Sequence, residues 1–215
     1  MATSKEKRCE WCLSSELYID YHDKEWGVPC YDANALFEML SLEGAQAGLS
    51  WITILNKREN YRRLFANFDV VKIARFKTSK IDKLVLDPGI VRHRQKIEAF
   101  VNNAKVVVAM EKRGESFVDY LWSFVDYNIV QNKHKSMSTV QSSTDQSRLM
   151  SKSLKKSGFK FVGPTTCYAF MQASGMVNDH LVSCPRYSQV AKLNKKSRQP
   201  SHWSGLRSVN RQLTA

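Results

Sequence analysis

The sequence predicts an all-α protein. Apolar residues recur at helical spacing along most of the chain, Gly and Pro stand where those runs stop, and no segment shows the strict alternation of a half-buried strand. With 215 residues, 43% hydrophobic and 25% charged, the chain can bury a substantial core.

The first helix assigned follows Asp32, a good N-cap, and runs to about Gly48 with Leu36, Leu40 and Ala47 on its apolar stripe. Ser50 caps a second, which carries Trp51, Ile54, Leu55, Tyr61 and Phe65 on one side. Shorter helices are expected over 70–76 and 81–86, before the Asp87-Pro88-Gly89 turn. A long helix over 91–113 turns Ile97, Phe100, Val101, Ala104 and Val108 inward. Ser116 opens the next, through Leu121 and Val125. Residues 127–146 are polar and read as a loop. A helix over 147–157 stops at Gly158, Gly163-Pro164 punctuates, and a last core helix over 165–174 ends at Gly175. There is no internal repeat and no Gly-rich phosphate loop of the nucleotide-binding types.

Two regions are expected: a helical domain over residues 1–185 and a basic, flexible tail over 186–215. Lys plus Arg number 33 against 20 Asp plus Glu, a net charge of +13. The last 30 residues hold seven Lys or Arg and no acid, about half of that surplus. Such an excess favours a polyanion, and nucleic acid is the commonest one inside cells. No apolar stretch reaches membrane-spanning length, and MATSKEKRCEWC lacks the apolar core of a secretory signal. The expected compartment is therefore intracellular, cytoplasmic or nuclear. The five cysteines then read as thiols or metal ligands rather than as a disulfide framework.

Glu43 is the most informative residue. It falls on the apolar stripe of the helix after Asp32, and an inward carboxylate needs a partner or a task. Trp11, Tyr18, Tyr21, Trp26 and Trp51 lie near it in sequence. An acid among aromatic faces suits a flat, cationic or amine-bearing ligand. Pairing with Arg58 or Arg62 is the plainer alternative. Gly44, Ala45, Ala47 and Gly48 keep the wall beside Glu43 small and leave room for a ligand.

Cys9 and His22 near one end, with His180 and Cys184 near the other, make a possible closed tetrahedral zinc set that would clasp the domain. Cys9-Glu-Trp-Cys12 offers a rival pair, and isolated Cys or His residues are more often simply packed. Cys30 and Cys167 read as small core residues. The run SKSLKKSGFKFVGPTTCYAFMQA reads as helix, glycine-bounded hairpin, helix. Its backbone amides, with Lys155, Lys156 and Lys160 nearby, could hold a DNA phosphate. A plain connection with solvated lysines fits the pattern equally well. Asp87-Pro88-Gly89-Ile90, followed by Arg92, His93, Arg94 and Lys96, is a second hairpin candidate, or only a solvated basic face.

Taken together, Cys9-Glu-Trp11, LYIDYHDKEWGVP, LFEMLSLEGAQAGLSWITIL with KREN, GIVRHRQKI, FVDYLWSF and GFKFVGPTTCYAFMQASGMVNDHLVSC resemble the 3-methyladenine DNA glycosylase I family, in order from Arg8 to Cys184. The resemblance implies a helix-hairpin-helix DNA glycosylase fold whose ends are joined by a structural zinc ion on Cys9, His22, His180 and Cys184. It implies a base pocket in which Glu43 and Tyr21 are catalytic and Trp51, Tyr18 and Trp11 bind the base. The DNA-gripping hairpin would use Gly158, Lys160, Gly163 and Thr165. The partner implied is double-stranded DNA with alkylated bases, met by a monomer. Related glycosylases carry an Asp at the place that Asn178 takes here, and Asp179 precedes His180, so the usual catalytic carboxylate is expected to be absent. With no lysine placed as a Schiff-base nucleophile, the activity expected is monofunctional: the base is released and the strand stays intact. The alternatives are a noncatalytic nucleic-acid-binding domain and a zinc hydrolase with an open ligand position.

Overall fold

The computed structural model describes residues 7–193. Ten α-helices occupy them: α1 (Glu16–Lys24), α2 (Ala33–Gln46), α3 (Trp51–Leu64), α4 (Val70–Ala74), α5 (Thr78–Leu86), α6 (Arg94–Lys112), α7 (Phe117–Trp122), α8 (Asp145–Lys156), α9 (Pro164–Ala173) and α10 (Pro185–Ala191). None is long and apolar enough to cross a membrane. One small departure from all-α is a two-residue parallel ladder of β1 (Val130–Gln131) with β2 (Val177–Asn178). Strands that short carry no alternation to read.

Local chemistry sets most boundaries. Asp32, Asp69 and Ser116 accept hydrogen bonds from the backbone N–H groups of Ala35, Lys72 and Asp119 at 2.8, 3.0 and 3.1 Å, which satisfies first-turn donors. Thr144 and Ser147 cap each other's backbone. Ser50 precedes α3 as expected, but its hydroxyl meets that of Thr53 at 2.7 Å instead of a backbone amide. His93 caps α6, so that helix starts at Arg94 rather than at residue 91.

Two helices were not anticipated. α1 starts behind Ser15, which accepts from the Tyr18 amide at 3.2 Å. Its inward residues are Tyr21 and His22, so it shows no aliphatic stripe. α10 begins with Pro185 at its first position and buries Val190. Residues 186–191 are therefore helical, and the expected flexible tail does not begin at 186. Residues 194–215 lie outside the described residues.

α2 is the central helix. It packs against α3, α6, α7 and α9 and buries an unbroken run from Leu40 to Ala45, as a helix enclosed on all sides must. Beside it, Phe37, Phe65, Phe68 and Phe100 form a ring cluster with centroids 5.0–6.4 Å apart. Burying each such side chain contributes about 1.5–3 kcal/mol. α2 stops at Gln46, leaving Ala47 exposed, so the stripe ends one step earlier than the spacing suggests.

The carbonyl end of α2 is closed by Lys96, whose Nζ donates to the Ala45 and Ala47 oxygens at 2.9 and 2.6 Å. That corrects the reading of a solvated basic face at Lys96 alone, since Arg92, His93 and Arg94 are exposed. Lys96 is buried, and Arg94 pairs with Asp82 at 2.6 Å. Gly44 serves close packing rather than ligand room. A Cβ there would sit 3.2 Å from the Phe161 carbonyl of the α8–α9 hairpin. Gly175, with φ +73°, lets the end of α9 touch the 28–29 backbone, where a Cβ would come within 2.4 Å.

Candidate functional site

A cleft of about 280 Å³ opens between α1, the C-terminal half of α2, the start of α3, α9 and the 137–142 loop. Trp11, Tyr18, Tyr21, Glu43 and Trp51 all line it, as does Trp26. Trp11 is the hub of the aromatic wall. Its ring stands edge-on to Tyr18 at 4.9 Å and to Trp26 at 5.0 Å, while Tyr21 and Trp51 tilt together at 5.4 Å. Edge-to-face packing of this kind fixes ring planes. The Trp51 indole N–H is buried without a partner.

Glu43 is 5% exposed. Loss of water pushes its carboxyl up to about 8, and no hydrogen bond or ion pair reaches it among the described residues. The arginine alternative fails on geometry. Arg58 forms a fork with both oxygens of Glu25 at 2.6 and 2.8 Å, and Arg62 is held by Glu38 and Glu59. Arg58 also lies 5.9 Å from the Tyr21 ring centroid, which supports that ring from behind the cleft. Burial, then the Glu43 charge, raises the Tyr18 and Tyr21 hydroxyls, so both stay neutral donors.

Sequence reasoning missed the other wall. Tyr168 and Gln172 of α9 line the cleft, and both donate to Oδ2 of buried Asp179, at 2.6 and 2.7 Å. Asn132 donates to Oδ1 at 2.6 Å. A polar stripe at 165, 168 and 172 on an otherwise apolar helix was the available signal. Asn178 points elsewhere: its amide donates to Gln131 and to the Tyr187 carbonyl, and its oxygen accepts from the His180 amide. Met137, Val140, Gln141 and Ser142 show that the polar loop flanks the cleft.

Cys9, His22, His180 and Cys184 converge in a buried cluster with all four ligand atoms within 4.8 Å of one another. Cys12 stays out, its thiol donating to the Cys9 carbonyl, so the rival pair does not form. Cys167 is buried as expected, whereas Cys30 is only half-buried. The cluster suits a cation. His22 Nδ1 is 2.7 Å from the Asp23 carboxylate and His180 Nε2 is 3.1 Å from the Trp26 carbonyl, so each outer nitrogen serves as the donor. The inner nitrogens, His22 Nε2 and His180 Nδ1, then face each other with lone pairs 3.2 Å apart. Only something positive between them relieves that. Tetrahedral ligation by two thiolates and two imidazoles requires edges of roughly 3.3–3.8 Å, and the S···N separations of 3.7–3.9 Å need little contraction. The cluster adjoins the cleft directly, because the Trp26 ring packs 4.6 Å from that of His180.

The residues named for DNA contact fall together on the hairpin between α8 and α9. Lys160 and Thr165 are exposed, Gly158 and Gly163 are half-buried, and Thr165 also reaches the cleft. Asn103 of α6 clamps the hairpin, accepting from the Lys160 amide at 2.8 Å and donating to its carbonyl at 3.0 Å. Asn102 donates to the Gly158 carbonyl at 2.8 Å. Gly158, at φ +95°, and Phe161, at φ +55°, take the left-handed conformations of the turn.

The family model for methyladenine glycosylase matches residues 11–187. The chain is 54% identical over 181 residues to DNA-3-methyladenine glycosylase 1 of Escherichia coli (strain K12), covering 84% of this chain and 97% of that protein. It is 53% identical over 178 residues to DNA-3-methyladenine glycosylase of Haemophilus influenzae, covering 83% and 96%. A solved tyrosine-to-phenylalanine variant of 3-methyladenine DNA glycosylase I in complex with 3-methyladenine superposes with a TM-score of 0.80 at 38% identity, covering 89% of this chain and 99% of that one.

Proposed function

Because the chain belongs to the methyladenine glycosylase family, we propose that its aromatic cleft receives an everted 3-methyladenine and that Glu43 selects it. The protein is a DNA repair N-glycosylase, a hydrolase of the bond between base and sugar. Methylation at N3 makes the base cationic. The C1′–N9 bond breaks with its electron pair going to the base, which leaves neutral. Water adds at C1′, its proton passes to solvent, and an abasic site remains.

The chain's own residues supply selection and position rather than a strong acid. Extracting the nucleotide costs a few kcal/mol, least for a damaged base. Trp51 and Tyr21 stack on it, with Tyr18 and Trp11 behind, and attraction of a cation to such rings contributes about 0.5–2 kcal/mol. The partnerless Glu43 carboxyl accepts from the exocyclic amine and opposes the positive charge. The hairpin from Gly158 to Gly163, with Lys160, Thr165 and the start of α9, holds a phosphate of the flanking duplex. One chain carries every part, so a monomer suffices. Cys9, His22, His180 and Cys184 would hold zinc, and with four protein ligands such an ion would brace the fold and leave no position for substrate.

The observation that carries this reading is the buried, unpaired Glu43 inside the aromatic cleft. Mass-resolved assay of alkylated duplex DNA is expected to show free 3-methyladenine released by the wild type. Glu43→Gln is expected to lower the rate roughly tenfold to hundredfold, from the ~1.5–3 kcal/mol of a hydrogen bond to a charged group. A folded wild type that releases no base overturns the reading. Undiminished excision by Glu43→Gln removes Glu43 from it.

A further inference from the structure

α9 turns Thr165, Tyr168, Ala169 and Gln172 toward the cleft, one helical face at spacings of three and four. Behind that face lies Asp179, which is 1% exposed. Its Oδ2 receives the Tyr168 hydroxyl at 2.6 Å and Gln172 Nε2 at 2.7 Å. Its Oδ1 receives Asn132 Nδ2 at 2.6 Å and has His134 Nε2 at 3.3 Å. Charge fixes the Gln172 amide: turned over, it would set a carbonyl oxygen against a carboxylate oxygen. With Nε2 committed, Oε1 has no hydrogen-bond partner among the described residues, and it belongs to a residue that lines the cleft.

We infer that the Gln172 carbonyl oxygen acts on the sugar of the everted nucleotide and that Asp179 is the positioning residue that aims it. The inference rests on the base-release reading above. As the C1′–N9 bond lengthens, positive charge grows on the sugar ring, and a preoriented oxygen dipole lowers the energy of that state without reorganising. Asp179, turned from the substrate, supplies its negative potential through the amide it holds. This fills a gap that Asn178 leaves, since the side chain of Asn178 is occupied by Gln131, Tyr187 and His180.

Single-turnover release of 3-methyladenine from alkylated duplex, with enzyme in excess, tests the inference. Gln172→Met keeps the side chain's length and apolar contacts while removing the dipole. Its maximal rate is expected to fall about tenfold or more, with the half-saturating enzyme concentration and zinc content unchanged and the protein still folded, the lost donor to Asp179 lowering only the thermal midpoint. Asp179→Asn frees the amide to turn and is expected to slow the reaction similarly. The double variant is expected to be no slower than either alone, because both act through one oxygen. Gln172→Met at the wild-type maximal rate overturns the inference while leaving the base-release reading standing, since the wild-type control reports on that separately. Asp179→Asn at full rate beside a slow Gln172→Met removes Asp179 from its assigned role. A Gln172→Met protein that instead shows altered saturation with an intact maximal rate makes the residue structural and also overturns the inference.

Discussion

In the empty cleft at neutral pH, Glu43 keeps its proton, because burial holds its carboxyl up to about 8 against an ordinary value of 4.5. A cationic base draws that proton off and gains a counter-charge, and neutral adenine cannot. Ligands that need the carboxylate should therefore bind about tenfold more weakly for each pH unit below 8. Subsaturating excision is expected to decline along that slope in the wild type and to be flatter in Glu43→Gln. Stability runs the opposite way with pH. The folded state holds the proton more tightly than the unfolded chain, so the benefit of the neutral acid is full below about 4.5 and is lost as pH rises through about 8. Denaturant titration should find Glu43→Gln more stable than wild type by a few kcal/mol at pH 9 and nearly equal to it at pH 4. Equal stability at both values would mean that the carboxyl is solvated. Glu43 was legible because a helical stripe carried a charge inward. Asp179 was not, because its partners Asn132, Tyr168 and Gln172 lie 7 to 47 positions away in sequence and meet only in the fold.

Helix ends explain most of what sequence could and could not anticipate among the elements. Asp32, Ser116 and the glycines at 158 and 175 mark termini through rules that act within one turn, and those boundaries hold within a few residues. α1 escaped because its buried face is a tyrosine and a histidine, whose reason for burial is the cleft on one side and the cation cluster on the other. Lys96 misled for a comparable reason. A lysine among Arg92, His93 and Arg94 looks solvated until α2 is seen ending above it. Lys96→Met should expose that role: removing the ammonium leaves the Ala45 and Ala47 carbonyls short of a donor, at a cost of about 1–3 kcal/mol. Chemical denaturation would measure it, and an unchanged midpoint would show that water replaces the ammonium.

Across the whole molecule, the ends of the helical domain meet at Cys9, His22, His180 and Cys184, and the aromatic wall is threaded between them. Trp11 stands two residues from Cys9, Tyr21 precedes His22, and Trp26 packs on His180. Dialysis against a chelator is accordingly expected to remove one zinc per chain, lower the thermal midpoint and reduce excision in step with the folded fraction. Activity lost at an unchanged midpoint would assign the ion to the reaction instead. The ordered motifs made this fold and its cluster readable at the family level. Spacing alone left the ligand set ambiguous, because two short pairs separated by about 160 residues carry no local signature.

The burial of that cluster has a consequence for a protein whose substrate is made by methylating agents. Those electrophiles attack sulfur as readily as they attack purine nitrogen, and a thiolate is their preferred target. Cys9 and Cys184 are 0% and 3% exposed, and a shared cation would withdraw the electron density an electrophile seeks. Cys30 is the one cysteine half-open to solvent among the described residues, and burial holds its thiol up. The sulfurs of the clasp are thereby shielded from the reagents that create the substrate.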